Sequence, residues 1–206
     1  SGPSDLIRFG NDYRYIRYNT KQYSETSDIR LGFLSSLLPH KGAHVLVAAF
    51  INAHQDNMSL KIFGDPLHEQ EYFENMKNLS NDYPVDFLGK YHNDDLESIL
   101  EDLDVVVLPS LWWENTPLVM LRALAHRVPV IVSNFPGMTE VVRDGVDGYV
   151  FRPGDSDHLK DILIKIGKNP LLLNEIQKSI SYSKRIEEEA FEYECIFTEE
   201  IQKHMQ

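Results

Sequence analysis

The chain has 206 residues, 42% of them hydrophobic and 25% charged, with a formal net charge of −12. That length and apolar content suit one domain, or one large and one small, built around a real core. The negative balance argues against a nucleic-acid surface, which needs clustered Lys and Arg, and against a broad footprint on an anionic membrane.

Residues 1–28 are polar and tyrosine-rich, without steady periodicity, and read as a linker holding one edge strand around Tyr13–Tyr18. They open on Ser-Gly-Pro-Ser-Asp, which reads as a cloning remnant, so we expect a piece that begins inside a longer protein; no signal peptide is legible. From residue 29 short β-rich runs alternate with amphipathic stretches. "IRLGFL" is a strand, and "KGAHVLVAAFINAHQ" a helix opened by Lys41, with Val45, Ala48, Ala49 and Asn52 at helical spacing. "SLKIFG" is the next strand, followed by the helix "PLHEQEYFENMKNL" with Pro66 near its first turn and Asp65 as its cap. "VDFLG" is a short strand, and "NDDLESILEDL" a helix capped by Asn93 with acids in its first turn. "DVVVLPS" is a nearly continuous apolar run, the mark of a strand covered on both faces. A helix from about Pro117, capped by Thr116, comes next, then the strand "VPVIVS". The helix "GMTEVVRDG" carries Glu140 in its first turn; the strand "GYVFR" and the helix "DSDHLKDILIKIG" follow. One or two terminal helices hold the single cysteine, Cys195, which excludes an internal disulfide and reads as a buried or half-buried packing thiol in a reducing compartment. No apolar run approaches the ~20 residues of a membrane span.

Strand and helix alternate about six times, the signature of an α/β fold: a single Rossmann-like domain, residues 29–206, with a parallel sheet of about six strands and helices on both faces. Ligands in such sheets sit beyond the carboxyl ends of the strands. There, Gly32 near the end of the first strand would allow close backbone approach to a ligand. Lys41, a cation at a helix start that already favours anions, makes sense if a phosphate neutralises it; a solvated surface lysine is the alternative. Gly89, Lys90 and Tyr91 form a loop whose backbone suits a base edge, with Tyr91 as a stacking face. The free amides of Leu118 and Val119 would point toward the strand ends, where a diphosphate could sit. Glu114, just outside that helix, could accept from sugar hydroxyls. Trp112 and Trp113 beside it either stack on a pyranose face or, as such residues more often do, wedge the loop against the core.

Taken in order and spacing, four segments resemble the C-terminal, donor-binding domain of the retaining GT-B glycosyltransferases of the family-4 (group 1) type. They are "GFLSSLLPHKGAHVLVAAF", "FLGKYHNDDLESILEDLDVVVLPS", "WWENTPLVMLRALAHRVPVIVS" and "PGMTEVVRDGVDGYVFRPGD", and the likeness runs from about residue 29 to the end. The resemblance implies transfer of a sugar from a UDP- or GDP-linked donor to an acceptor glycan or lipid-linked acceptor, with retention, no bound metal and no other cofactor. The acceptor would be held mostly by an N-terminal domain not seen in this sequence, toward which the terminal helix would cross back, and the fragment alone would be inactive. Localisation would be cytoplasmic, peripheral at the inner membrane through that other domain. By position, Glu114 would be the catalytic residue, contacting the donor sugar, and Lys41 would hold the diphosphate. The segment around Asn115, Thr116, Leu118 and Val119 would bind phosphate, and Lys90 and Tyr91 would border the base.

Two positions depart from the family's pattern. An arginine is usual five positions before the lysine, and here it is Ser36; a second, ribose-binding glutamate is usual eight positions after the first, and here it is Arg122. A guanidinium donates but cannot accept, and losing a charged hydrogen bond costs ~1.5–3 kcal/mol. Arg122 either reaches a donor phosphate in place of the cation missing at 36, marks a decayed site in a structural or partner-binding module, or pairs with an acid such as Glu114 or Asp144. An Asp-x-Asp metal site at Asp102 and Asp104 does not fit, because Asp104 starts a strand at its amino end, away from the ligand edge. His40 and His44 straddle a helix start with no carboxylate to complete a ligand set. A sugar-nucleotide epimerase shares the architecture, but "PSLWWEN" fits the transferase better.

Overall fold

A computed structural model describes residues 16, 18–181 and 186–204 of the chain. Six strands form one parallel sheet: β1 (Ile29–Leu34), β2 (Met58–Phe63), β3 (Val85–Gly89), β4 (Val105–Leu108), β5 (Val130–Ser133) and β6 (Gly148–Phe151). Their order across the sheet is β3-β2-β1-β4-β5-β6. The chain starts in the middle, runs out to one edge, returns, and runs out to the other, so the strand order reverses between β1 and β4. β4 (VVVL) and β5 (VIVS) are buried at every position, as strands covered on both faces must be, whereas the edge strand β3 has none of its residues buried.

The helices are α1 (Ala43–Ala53), α2 (Gln70–Leu79), α3 (Leu96–Asp102), α4 (Leu118–Ala125), α5 (Pro136–Thr139), α6 (Ser156–Lys168), α7 (Leu172–Ser179) and α8 (Ile186–His204). Right-handed crossovers put α1 and α2 on one face of the sheet and α3, α4 and α5 on the other. α6 returns to pack along α1. The core between the layers is apolar, with Leu31, Leu60, Val106, Ile131, Leu121 and Leu163 almost fully buried.

Several local expectations are corrected. Lys41 ends a short 3-10 turn, Pro39–Lys41, and α1 opens two residues later, after Gly42. Asp65 does not cap a helix: its Oδ1 accepts from the Leu67 amide at 2.8 Å, a local turn that competes with helix, and α2 begins only at Gln70. Asn93 caps nothing; it opens a 3-10 turn, Asn93–Asp95, ahead of α3. α5 is four residues long, so Glu140 stands at its carboxyl end rather than in its first turn. Gly32 lies inside β1, where a Cβ would fall 2.2 Å from Leu103 Cδ1; its missing side chain makes room for a core leucine, not for a ligand. Cys195 is exposed, because α8 turns most of its described side chains to solvent.

The strand expected around Tyr13–Tyr18 falls largely outside the described residues. The chain just after it is tied to the domain: the Asn19 amide donates to His126 O at 2.7 Å, and Tyr23 is buried.

Candidate functional site

The crevice at the switch point between β1 and β4 is assembled by two close backbone approaches. Gly42 has φ 75°, and a Cβ there would lie 1.9 Å from the Pro109 carbonyl oxygen, so only glycine lets the start of α1 rest on the exit of β4. The Leu111 amide donates to His40 O at 2.8 Å, a second tie between the same two segments. From the far side, a Cβ on Gly137 would fall 1.5 Å from Asn115 O and 2.0 Å from Glu114 O, so the start of α5 sits directly under the loop.

These contacts bring Lys41 and Glu114 together, 73 residues apart in the chain. Lys41 Nζ donates to Glu114 Oε1 at 2.5 Å, and Ser110 Oγ donates to the same oxygen at 3.1 Å. The two side chains are 24% and 15% exposed, enough shelter to strengthen the pair and enough opening to admit a ligand. Together with Ser35, Ser110, Pro117 and Val119 they line a cavity of about 40 Å³ over an apolar floor of Phe33 and Val107.

α4 opens on this cavity with Pro117, not Thr116, in the capping position, and no side chain caps it. The Pro117 carbonyl already accepts from the Met120 and Leu121 amides at 3.0 and 3.3 Å. The amides of Leu118 and Val119 are the first-turn donors with no carbonyl behind them in the helix.

Arg122 stays outside the cavity. Its Nη2 donates to Glu97 Oε1 across the α3–α4 interface, with both side chains about one-fifth exposed. Of the three readings of Arg122, pairing with an acid is the one met, but neither Glu114 nor Asp144 is that acid. Glu114 is engaged by Lys41, and Asp144 Oδ1 accepts from the Val150 amide at 2.9 Å. Consecutive right-handed crossovers lay α3 beside α4, which brings Glu97 in the first turn of α3 within reach of Arg122.

The remaining candidates divide. Ser36 is half-buried, but its neighbour Ser35 lines the cavity. Lys90 and Tyr91 leave the end of β3, two strands from β1 and so ~10 Å along the same rim. Tyr91 packs edge-on to Phe63 at 6.1 Å, and burial pushes its hydroxyl pKa up. Asn115 is exposed and Thr116 half-buried in the loop. Trp112 and Trp113 are 58% and 74% exposed, so neither wedges the loop into the core; the Trp112 ring leans on His40, centroids 5.1 Å apart. His44 is occupied elsewhere, its Nδ1 2.8 Å from Tyr72 Oη. Among the described residues no group of three or more His, Cys, Asp and Glu is placed to hold a metal ion.

Ser35, Ser110 and Glu97 were missed as site residues. Ser35 directly follows β1 and Ser110 comes two residues after β4, which is itself a usable signal in a parallel sheet. Glu97 carried none: an acid in the first turn of a helix is satisfied by the helix dipole alone.

A doubly wound parallel sheet with a cation, a carboxylate and an open helix start at its switch point defines a Rossmann-like α/β domain with a crevice where such sheets take ligands. The family described as "Glycosyl transferases group 1" matches residues 17–186, and the chain belongs to that family. HepE from Anabaena, solved in complex with UDP and glucose, superposes with a TM-score of 0.78 at 22% identity, over 94% of this chain and 56% of HepE. The C-terminal domain of the group 1 glycosyltransferase LpcC from Francisella tularensis superposes with a TM-score of 0.69 at 20% identity, over 82% of this chain and 94% of that domain. Both likenesses establish the fold, that of the C-terminal domain of GT-B glycosyltransferases. In sequence, the chain is 37% identical over 78 residues to the UDP-Gal:alpha-D-GlcNAc-diphosphoundecaprenol alpha-1,3-galactosyltransferase of Escherichia coli, covering 38% of this chain and 20% of that protein. The chain thus spans a fifth of that curated relative and about half of HepE.

Proposed function

We propose that the chain is the donor-binding domain of a glycosyltransferase that moves a sugar from a nucleotide diphosphate to an acceptor, with retention of anomeric configuration. The observation that carries this reading is the Lys41–Glu114 contact, with Ser35 and Ser110 beside it, in an otherwise apolar cavity. A donor diphosphate brings anionic oxygens to the Lys41 ammonium and to the amides of Leu118 and Val119. Its sugar brings hydroxyl donors to the Glu114 carboxylate. Lys41 exchanges Glu114 for phosphate oxygens, Glu114 exchanges Lys41 for sugar hydroxyls, and the narrow cavity widens as they part. Negative charge grows on the diphosphate as its bond to the sugar breaks, and Lys41 with the helix amides stabilises it there without a bound metal. Glu114, released from Lys41, is the catalytic residue that holds the donor sugar.

Arg122 and Glu97 act as a unit in this reading. The position that departs from the family's glutamate holds a guanidinium, and that guanidinium holds a carboxylate from the next helix. The pair supplies both a donor and an acceptor for the ribose hydroxyls. Because Arg122 is held on Glu97, it does not fill the cleft beside Glu114, which favours a working donor site over a degenerate one. HepE's bound UDP and the UDP-galactose in the name of the E. coli relative support a UDP-linked donor, with a GDP-linked one as the alternative. The acceptor, a glycan or lipid-linked glycan, docks mostly on a second domain, so this chain alone binds donor but transfers nothing. Among the described residues no helix is long and apolar enough to cross a membrane; the proposed place is the cytoplasm, at the membrane surface through that second domain.

A thermal-shift panel with UDP, GDP and their sugars tests the reading. A donor at about 100 times its Kd stabilises the domain by ~2.7 kcal/mol and raises the melting temperature accordingly. No shift with any nucleotide contradicts it; if Ser36→Arg then restores a shift, the site has decayed. Arg122→Glu is a poor probe, since it would face Glu97 with a second carboxylate. Arg122→Gln is the informative variant.

A further inference from the structure

We propose that Trp112 and Trp113 form a stacking platform for a pyranose ring of the acceptor, on the outer side of the Lys41–Glu114 cavity. This rests on the glycosyltransferase reading above and adds the chemical class of what approaches from outside. The two tryptophans and Leu118 are 58%, 74% and 62% exposed, a concentration of large apolar surface on one short loop and the first residue of the helix it leads into. The loop is not slack. It is tied to the turn before α1 by the Leu111–His40 hydrogen bond, underpinned by Gly137, and steadied where Trp112 leans on His40. A braced loop that presents indole faces outward is prepared for a partner, because rigid aromatic area binds at little entropic cost.

The chemistry beside those faces selects the partner. Trp113 directly precedes Glu114, and His40 directly precedes Lys41, so the same two segments carry the aromatic faces and the charged pair. A pyranose is two-sided in the same way, with C–H bonds on its face and hydroxyls around its edge. An acyl chain or an apolar peptide would cover Lys41 and Glu114 without satisfying them. The net charge of −12 works against an anionic membrane. Neither tryptophan lines the Lys41–Glu114 cavity, and the ring we assign to them is the acceptor's. Trp113, the more exposed, is the stacking face, and Trp112 is the wall beside it.

The chain has only these two tryptophans, so its tryptophan emission, excited selectively over that of its tyrosines, reports on the platform alone. With saturating UDP present, titration with methyl hexopyranosides should shift the emission to the blue and shield it from acrylamide, saturably, while acyclic sorbitol does neither. Trp113→Ala should weaken that sugar binding about ten-fold, read by calorimetry, and leave the UDP-induced rise in melting temperature unchanged. The proposal is overturned if no pyranoside changes emission or quenching, if sorbitol acts equally, or if the Trp113→Ala and Trp112→Ala variants both bind sugar as the wild type does. It is also overturned if the blue shift follows protein concentration or added lipid vesicles instead of sugar. Failure of the donor reading appears separately, as no thermal shift with UDP or GDP.

Discussion

Both ends of the sheet carry acids and bases, but in opposite states of completion. At the amino end Asp104, 1% exposed, accepts from Lys21 Nζ at 2.8 Å, Tyr23 Oη at 3.0 Å, and the Arg30 amide and Nε at 2.7 and 3.1 Å. Asp102 beside it takes Arg30 and Lys61, each at 2.5 Å. Burial and the neighbouring Asp104 push the Tyr23 hydroxyl far up, and burial pulls Lys21 down. At the carboxyl end Glu114 receives its two donors on one oxygen, at the edge of a cavity. A carboxylate sealed in and saturated by donors is a structural element that ties the chain before β1 to the sheet. One with a single loaded oxygen and an exchangeable ammonium is ready for a ligand. Charge complement alone does not separate the two; burial and donor saturation do.

Removing Asp104 should have the largest effect. Asp104→Ala removes the buried acceptor shared by Lys21, Tyr23 and Arg30, leaving Arg30 only Asp102 and Lys21 only backbone carbonyls, and should cost about 3–5 kcal/mol in urea unfolding, with nucleotide affinity of the folded fraction unchanged. Equal damage to nucleotide binding would mean that the two rims are not independent. Gly42→Ala should cost about 2–4 kcal/mol, through left-handed strain and the clash with Pro109 O, and should weaken nucleotide binding as well, because it displaces Lys41. A variant that folds and binds as the wild type would remove the backbone basis of the site.

The amino-end cluster also predicts a pH response. Burial raises the Asp102 pKa, but the Lys61 hydrogen bond and the charges of Arg30, Lys61 and Lys21 outweigh it, and the net pKa is lowered. A depressed folded pKa contributes stability above the ordinary value of ~3.9, and that stability is lost as pH falls through the folded value. The stability gap between wild type and Asp102→Asn should therefore be present at neutral pH and close in acid; a gap that persists unchanged in acid contradicts the assignment. The smallest effect belongs to Arg122 and Glu97. A double-mutant cycle with Arg122→Gln and Glu97→Gln should give a coupling of about 0.5–1.5 kcal/mol in stability, and no coupling would show that the pair is incidental.

The strand–helix alternation was legible because apolar runs such as VVVL and VIVS admit few other readings, and the ligand rim follows from parallel topology alone. Lys41 and Glu114 could be assigned to that rim from their positions after β1 and β4. Their mutual contact could not, because it depends on how closely the backbone at Gly42 approaches Pro109. Helix starts at Asp65, Asn93 and Thr116 were misread where a local turn or a proline outcompeted side-chain capping. Glu97 was invisible as the partner of Arg122 because it belongs to the preceding helix, 25 residues away. Exposure of Trp112, Trp113 and Cys195 reflects which faces of the loop and of α8 meet the domain, and residue type carries no record of that.

Calorimetric titration of UDP into the wild type and Lys41→Met tests the central claim most directly. Exchange of the Lys41–Glu114 contact for a diphosphate predicts that the variant binds UDP about 10–100-fold more weakly, with nearly the same melting temperature when no ligand is present. UDP binding of equal strength in both proteins would contradict it.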